Sequence, residues 1–163
     1  MRRCVLSVLV ENSSGVLSRV AGLFSRRGYN IDSLTVGETQ NPDFSRMTIM
    51  TRGEDEELEQ IRKQLAKLVD VVDIKELPDD ESVCRELVLV KIEADAEKRS
   101  QVIAVADIFR AKIVDVAEKS IMVELTGNQN KLDAFMRLLG DFHILQLART
   151  GITGLARGAF EEL

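Results

Sequence analysis

The sequence predicts an α+β protein in which two small domains follow one another along the chain. The 163 residues are 45% hydrophobic and 30% charged, which is the composition of a globular protein. Strand-like and helix-like segments succeed each other in the order βαββαβ, and the same order then occurs a second time. Between the two series, the acidic, proline-containing stretch 78–82 interrupts the periodicity, as an exposed connection does. We therefore expect two domains of similar architecture.

The first series occupies the amino-terminal half of the chain. We predict its elements, in order, at residues 3–10, 15–27, 30–36, 45–51, 54–68 and 71–74. The first run is aliphatic and β-branched and stops at the turn-forming residues 11–15. Apolar residues then follow helical spacing up to Arg26, Arg27 and Gly28, the cations and glycine typical of a helix end. Two alternating runs form a hairpin, acidic residues open a second helix, and Val71 begins a fourth strand.

The second series repeats this order beyond the connection. We predict a strand at 87–92, a helix at 97–110, strands at 112–117 and 121–125, a helix after Gly127 and Asn128, and a last strand at 144–147. The repetition is one of element order, without strong residue identity between the halves. Residues after Phe160 show no pattern that predicts an element.

A βαββαβ series with both helices on one face of a four-stranded antiparallel sheet is the ferredoxin-like fold. We accordingly predict two tandem ferredoxin-like domains at residues 1–77 and 85–163, joined by a linker at 78–84. The helices leave the other face of each sheet uncovered, and pairing between subunits would cover it. We expect oligomerisation.

Charge and cysteine content exclude several classes of partner. The chain has 22 basic and 27 acidic residues, a net charge of −5, and no basic cluster of the kind that binds phosphate backbones, so we expect no nucleic acid. Cys4 and Cys84 each lie in an apolar run, which favours buried free thiols and a reducing compartment. No apolar stretch has the length of a signal peptide core or a membrane span. We expect a cytoplasmic protein without a membrane partner.

The inventory of catalytic groups is poor. His143 is the single histidine, which excludes a multi-histidine metal site. Its context between Phe142 and Ile144 favours a structural role over one in a Ser-His-Asp triad. The carboxylates lie in helix starts or in the connection, where solvation explains them. The glycines at 151, 154 and 158 lack the Lys-Ser/Thr ending of a phosphate loop, and the third strand lacks the aromatic residues of an RNA-binding sheet. We predict no catalytic residue and no metal ligand.

The first strand-to-helix junction is the one place where the residues point to a ligand. Asn12 to Gly15 end where a helix collects unpaired N–H groups and the positive end of its dipole, which favour a carboxylate. Gly15 leaves the backbone open, and the Asn12 amide offers a donor and an acceptor to a zwitterion. Asn30, before the second strand, is expected close to this junction. Two interpretations stay open here: an effector site, or plain helix capping with Asn30 as a turn residue.

Two segments resemble a known family, and this resemblance favours the effector site over plain helix capping. VENSSGVLSRV at 10–20 and LFSRRGYNI at 23–31 resemble the small regulatory subunits of acetohydroxyacid synthase, also called acetolactate synthase. Further matches to that family lie at residues 2–3, 33–36, 45–49, 64–71, 85–87, 89–92, 131–135 and 149–151. The resemblance covers nearly the whole chain, more densely in its first half.

The resemblance implies an amino-terminal ACT domain that binds a branched-chain amino acid, usually valine, where two such domains meet. It also implies a homodimer that joins a separate catalytic subunit and confers feedback inhibition on it. Thiamine diphosphate, FAD and Mg²⁺ would belong to that catalytic subunit, so no cofactor is expected in this chain. The matching effector-binding positions are Asn12, Gly15 and Asn30, and Ser18 is a position that affects feedback.

Two alternatives remain at this point. A free-standing ACT-type sensor could control another enzyme or transcription, and the protein that copurifies with the chain would discriminate it. An enzyme of the acylphosphatase type shares the fold, but the loop between Val10 and Val16 lacks the arginine that such an enzyme needs.

Overall fold

The computed structural model describes residues 1–158, and the tail after Phe160 lies outside the described residues. It contains the two predicted βαββαβ series, so the α+β class and the ferredoxin-like architecture are confirmed. The first series consists of β1 (Arg2–Glu11), α1 (Val16–Arg27), β2 (Ser33–Glu38), β3 (Phe44–Gly53), α2 (Asp55–Ala66) and β4 (Val71–Glu76). The second consists of β5 (Ser82–Glu93), α3 (Ala96–Phe109), β6 (Lys112–Val116), β7 (Ser120–Gly127), α4 (Gln129–Leu138) and β8 (Ile144–Arg149). A strand without a predicted counterpart, β9 (Thr153–Ala156), follows.

The chain divides into two compact units, and the division differs from the predicted one at two points. The first unit contains residues 1–84 together with 152–158, and the second contains 85–151. Strand β5 already begins at Ser82, inside the predicted linker 78–84. Residues 152–158, predicted in the second domain, belong to the first, because Ile152 is buried there among Val5, Met50 and Leu77.

The first unit has an antiparallel sheet in the order β2-β3-β1-β4. Alternate residues of the central strand β1, from Cys4 to Val10, face the helices and are buried. They pack with apolar residues of both helices and of β3: Val16, Val20, Leu23, Phe24, Met47, Ile49, Leu58, Ile61 and Leu65. Burial of apolar area at about 25 cal/mol per Å² makes this layer the main stabilising element of the unit. Because α1 packs on the sheet, its amino terminus is fixed at the end of β1.

The returning segment 152–158 is tied to the first unit by side chains of β2. The Ile152 N–H donates to Ser33 Oγ at 2.7 Å, and Thr35 Oγ1 donates to the Ile152 carbonyl oxygen at 3.1 Å. Strand β9 then pairs with β5. A Cβ on Gly154 would lie 2.6 Å from Cys84 Sγ, so glycine is required for this close approach. Gly154 therefore has a packing role.

The second unit repeats the topology with strand order β6-β7-β5-β8. Its core is a cluster of aliphatic residues around Phe135, whose ring meets Phe109 edge to face with centroids 5.3 Å apart. The Asp95 and Asn128 side chains cap α3 and α4 by accepting bonds from the third residues' N–H groups. Of the helices within residues 1–158, none is long and apolar enough to cross a membrane.

Candidate functional site

The amino terminus of α1 differs from the other helix starts in the described chain. Its cap residue Gly15 has φ of +85°, and no side chain accepts a hydrogen bond from the first turn. The α2 start carries a reciprocal capping box of Glu54 and Glu57. Capping by Asn12 or its serine neighbours is thus not what the structure shows. The N–H groups of the first turn of α1 are left to solvent or to a ligand.

Asn12 is exposed and bonded into the loop that follows β2. Its Nδ2 donates to the Pro42 carbonyl at 2.9 Å and to Glu38 Oε1 at 3.2 Å, while its own backbone N–H donates to the Asp43 carbonyl at 2.8 Å. The two bonds occupy the donor side of the amide. The Asn12 Oδ1 atom and the Glu38 carboxylate are acceptors and are available to bind a cation.

Arg19, one turn into α1, lies over Gly15. A Cβ on Gly15 would be only 2.9 Å from Arg19 Nη1. The guanidinium is held by Asp70, whose Oδ2 accepts from Arg19 Nε at 2.6 Å. This hydrogen bond raises the pKa of Arg19. Sequence reasoning missed Arg19, although its spacing of four residues from Gly15 was a usable signal.

Ser18 is the third residue of α1 and is exposed. It lies one residue before Arg19, in the turn whose N–H groups are uncapped. A bulky side chain at this position would stand beside the junction, which is consistent with the effect on feedback that the resemblance implies.

The expectation that Asn30 lies close to Asn12 in the same chain is wrong. Asn30 follows α1, and its carbonyl oxygen accepts from Thr51 Oγ1 at 2.7 Å. Thr51 pairs with Cys4, at the far end of β1 from Glu11. The 12-residue helix α1 alone separates the two ends by about 18 Å. One chain therefore brings Asn12, Gly15 and Ser18 together and leaves Asn30 at the opposite end of the sheet.

The junction presents two poles of opposite charge. The positive pole consists of the uncapped N–H groups of α1 and the Arg19 guanidinium. The negative pole consists of Glu38 and the Asn12 Oδ1 atom. Two such poles on one exposed corner match the carboxylate and ammonium groups of a zwitterion.

Other features of the described residues offer less. Residues 1–158 contain no group of three or more His, Cys, Asp or Glu side chains that could hold a metal ion. Burial raises the pKa of the Cys4 thiol to about 11. His143 Nδ1 lies 2.6 Å from Glu93 Oε2 in an exposed pair, and this hydrogen bond lowers the pKa of Glu93. An open cavity of about 800 Å³ on the helix-free face of the first sheet is lined by Ser7, Arg46 and other residues.

Comparison with known proteins places both halves of the chain in one family. A family model described as an acetohydroxyacid synthase small subunit-like ACT domain matches residues 6–73. A second, described as the small subunit of acetolactate synthase, matches residues 85–158. The two matches cover both βαββαβ series.

Individual proteins agree with the family models. The acetolactate synthase small subunit of Mycobacterium bovis is 55% identical over 153 residues, covering 94% of this chain and 91% of that protein. The small subunit of acetolactate synthase isozyme 3 of Escherichia coli is 53% identical over 159 residues, 97% of both chains. The crystal structure of the Thermotoga maritima acetolactate synthase small subunit superimposes with a TM-score of 0.90 at 41% identity, covering 98% of this chain and 100% of that one.

Proposed function

Because this chain belongs to the family of acetolactate synthase small subunits, we propose that it is the non-catalytic regulatory subunit of acetolactate synthase. In this role it activates a separate catalytic subunit and confers feedback inhibition by valine in branched-chain amino acid biosynthesis, in the cytoplasm. The observation that carries the proposal is the uncapped start of α1, with a cation and a carboxylate on either side of it.

Valine would bind at this corner through its charged ends. Its carboxylate meets the N–H groups after Gly15, and its ammonium group meets Glu38 and the Asn12 Oδ1 atom. Dipole and charge-assisted hydrogen bonds together contribute about 1–3 kcal/mol. Two exposed aliphatic side chains, Leu17 in the first turn of α1 and Val36 on β2, are available to cover the isopropyl group.

A second copy of the chain would complete the site. Strand β2 is an edge of its sheet, and its outer backbone groups are available for pairing. If two copies pair β2 antiparallel across a two-fold axis, the start of β2 in one copy lies beside the end of β2 in the other. Asn30 of the second copy then approaches Glu38 and Asn12 of the first. This arrangement reconciles the implied effector position of Asn30 with its distance from Asn12 within one chain.

Regulation follows if valine favours one arrangement of the dimer. A ligand held by two copies stabilises the arrangement that closes the site, and the attached catalytic subunit responds to that arrangement. The coupling is reciprocal and typically worth about 1–3 kcal/mol. In this proposal the catalytic subunit binds thiamine diphosphate, FAD and Mg²⁺, and this chain needs no cofactor of its own.

Reconstitution tests the proposed function. The purified chain, supplied with pyruvate, thiamine diphosphate, FAD and Mg²⁺, is expected to form no acetolactate. Added to the catalytic subunit of the same organism, it is expected to raise acetolactate formation several-fold and to make it sensitive to valine. The colorimetric assay of acetolactate after acid decarboxylation measures both effects.

Two results would count against this function. Turnover by the chain alone would show an enzyme, and absence of any effect on the catalytic subunit would favour a free-standing sensor. In the second case, the protein that copurifies with the chain identifies the controlled partner.

A further inference from the structure

We infer that Arg19, oriented by Asp70, binds the carboxylate of the amino-acid effector and so selects ligands that carry one. The inference rests on the proposed function and adds a recognition residue that the sequence analysis did not assign. It starts from the contact between Arg19 and the space above Gly15. A Cβ placed on Gly15 would meet Nη1 at 2.9 Å and the guanidinium carbon at 3.7 Å. The guanidinium therefore lies directly over the backbone that the glycine leaves open.

Asp70 fixes the guanidinium in this position. Its carboxylate is 9% exposed and accepts from Arg19 Nε at 2.6 Å. The Asp70 carbonyl oxygen also accepts from the Glu11 N–H at 2.9 Å, which ties the residue to the end of β1. Asp70 is thus anchored to the strand that leads into the junction. Because Asp70 is buried and bonded on both sides, it holds the arginine in place before a ligand binds.

The terminal N–H donors of Arg19 are available to a ligand. Within the described residues, Asp70 bonds only Nε, and no protein acceptor is bonded to Nη1 or Nη2. The Arg19 side chain is 48% exposed, so these groups are accessible from solvent. A guanidinium with two free terminal nitrogens is the group that binds a carboxylate in a forked geometry. Arg149 in the second unit differs, because Glu86 accepts from both its Nε and its Nη2.

A purely structural role makes a different prediction. If the Arg19–Asp70 pair served only to tie α1 to the loop before β4, its loss would weaken the binding of valine and of valinamide, the analogue without a carboxylate, by the same factor. If Arg19 binds the carboxylate, loss of Arg19 weakens the binding of valine more than the binding of valinamide, which keeps the ammonium group and the side chain. The ratio of the two affinities separates the roles.

The test is isothermal titration of the full chain with valine and with valinamide. The variants are Arg19→Gln, the double variant Arg19→Gln/Asp70→Asn, which leaves no buried carboxylate without a partner, and the control Arg27→Gln at the exposed end of the same helix. We expect both Arg19 variants to lose about tenfold or more in valine affinity, the effect of one charge-assisted hydrogen bond, with little change for valinamide. Arg27→Gln should change neither affinity.

Two results would overturn the inference, and they are distinguishable. If the wild-type chain binds valine and the folded double variant keeps the same preference for valine over valinamide, Arg19 does not contact the carboxylate and the proposed function stands. If the wild-type chain binds none of valine, leucine and isoleucine, the proposed function fails together with the inference. Thermal unfolding of each variant verifies that it is folded.

Discussion

Replacing Gly15 with Asp is expected to abolish valine binding and to leave both units folded. Gly15 adopts φ of +85°, where a side chain costs about 1–2 kcal/mol. Its Cβ would meet Arg19 Nη1 at 2.9 Å, and the new carboxylate would pair with the guanidinium and with the uncapped N–H groups. The substitution places an anion of the protein where the effector's anion is proposed to bind. We expect a loss of at least about 100-fold in affinity, equivalent to about 2.7 kcal/mol.

The control for this prediction is Gly15→Ala, which adds the same Cβ and backbone strain without a carboxylate. Gly15→Ala should reduce the affinity for valine less than Gly15→Asp does. The two variants should unfold at similar temperatures because the site is exposed. An unchanged valine affinity in folded Gly15→Asp, measured by titration calorimetry, would remove the α1 junction from the account.

Replacing Arg149 with Met is expected to destabilise the second unit strongly. Glu86 is 7% exposed, and its two oxygens accept from Arg149 Nε and Nη2, each at 2.9 Å. The pair raises the pKa of Arg149. Without the arginine, a buried carboxylate loses its partner, at a cost of about 3 kcal/mol, the lower end for buried pairs because Arg149 is 31% exposed. Urea denaturation of the full chain measures the loss in free energy of unfolding.

A second substitution shows that the cost comes from the unpaired charge. The double variant Glu86→Gln/Arg149→Met has no buried carboxylate at this position, so it should recover a large part of the lost stability. Equal destabilisation in the single and double variants would mean that the guanidinium contributes through packing alone. Neither variant should alter valine binding directly, since both residues belong to the second unit.

Sequence periodicity predicted the elements that pack locally and missed the one that depends on distant contacts. The eight strands and four helices of the two series follow from alternation, helical spacing and turn residues. Strand β9 has no such signal, because it depends on pairing with the distant strand β5. The preceding residue, Ile152, is bonded to Ser33 and Thr35, more than a hundred residues earlier in the chain. The glycines at 151, 154 and 158 were considered only as a phosphate loop, and the close approach to Cys84 explains Gly154.

The sequence predicted only those parts of the candidate site that lie on one segment, and it missed those that tertiary contacts bring together. Asn12 and Gly15 lie on one contiguous segment, so their proximity follows from the strand-to-helix junction. Asp70 and Glu38 reach the junction through tertiary contacts with residues 51 and 26 positions away in sequence. Asn30 was placed wrongly, although the predicted helix between Gly15 and Asn30 already separates its two ends by about 18 Å. Because Asn30 and Asn12 lie at opposite ends of the sheet in one chain, the proposed site takes Asn30 from a second copy.

The sharing of one site between two copies can be measured with paired variants. Gly15→Asp and Asn30→Ala chains carrying different affinity tags are coexpressed, and the mixed dimer is isolated by sequential purification. In a shared site, one corner of the mixed dimer receives an intact Gly15 from one copy and an intact Asn30 from the other. Titration calorimetry is then expected to show one valine bound per mixed dimer and none for either parent. Absence of valine binding by the mixed dimer would contradict the shared site.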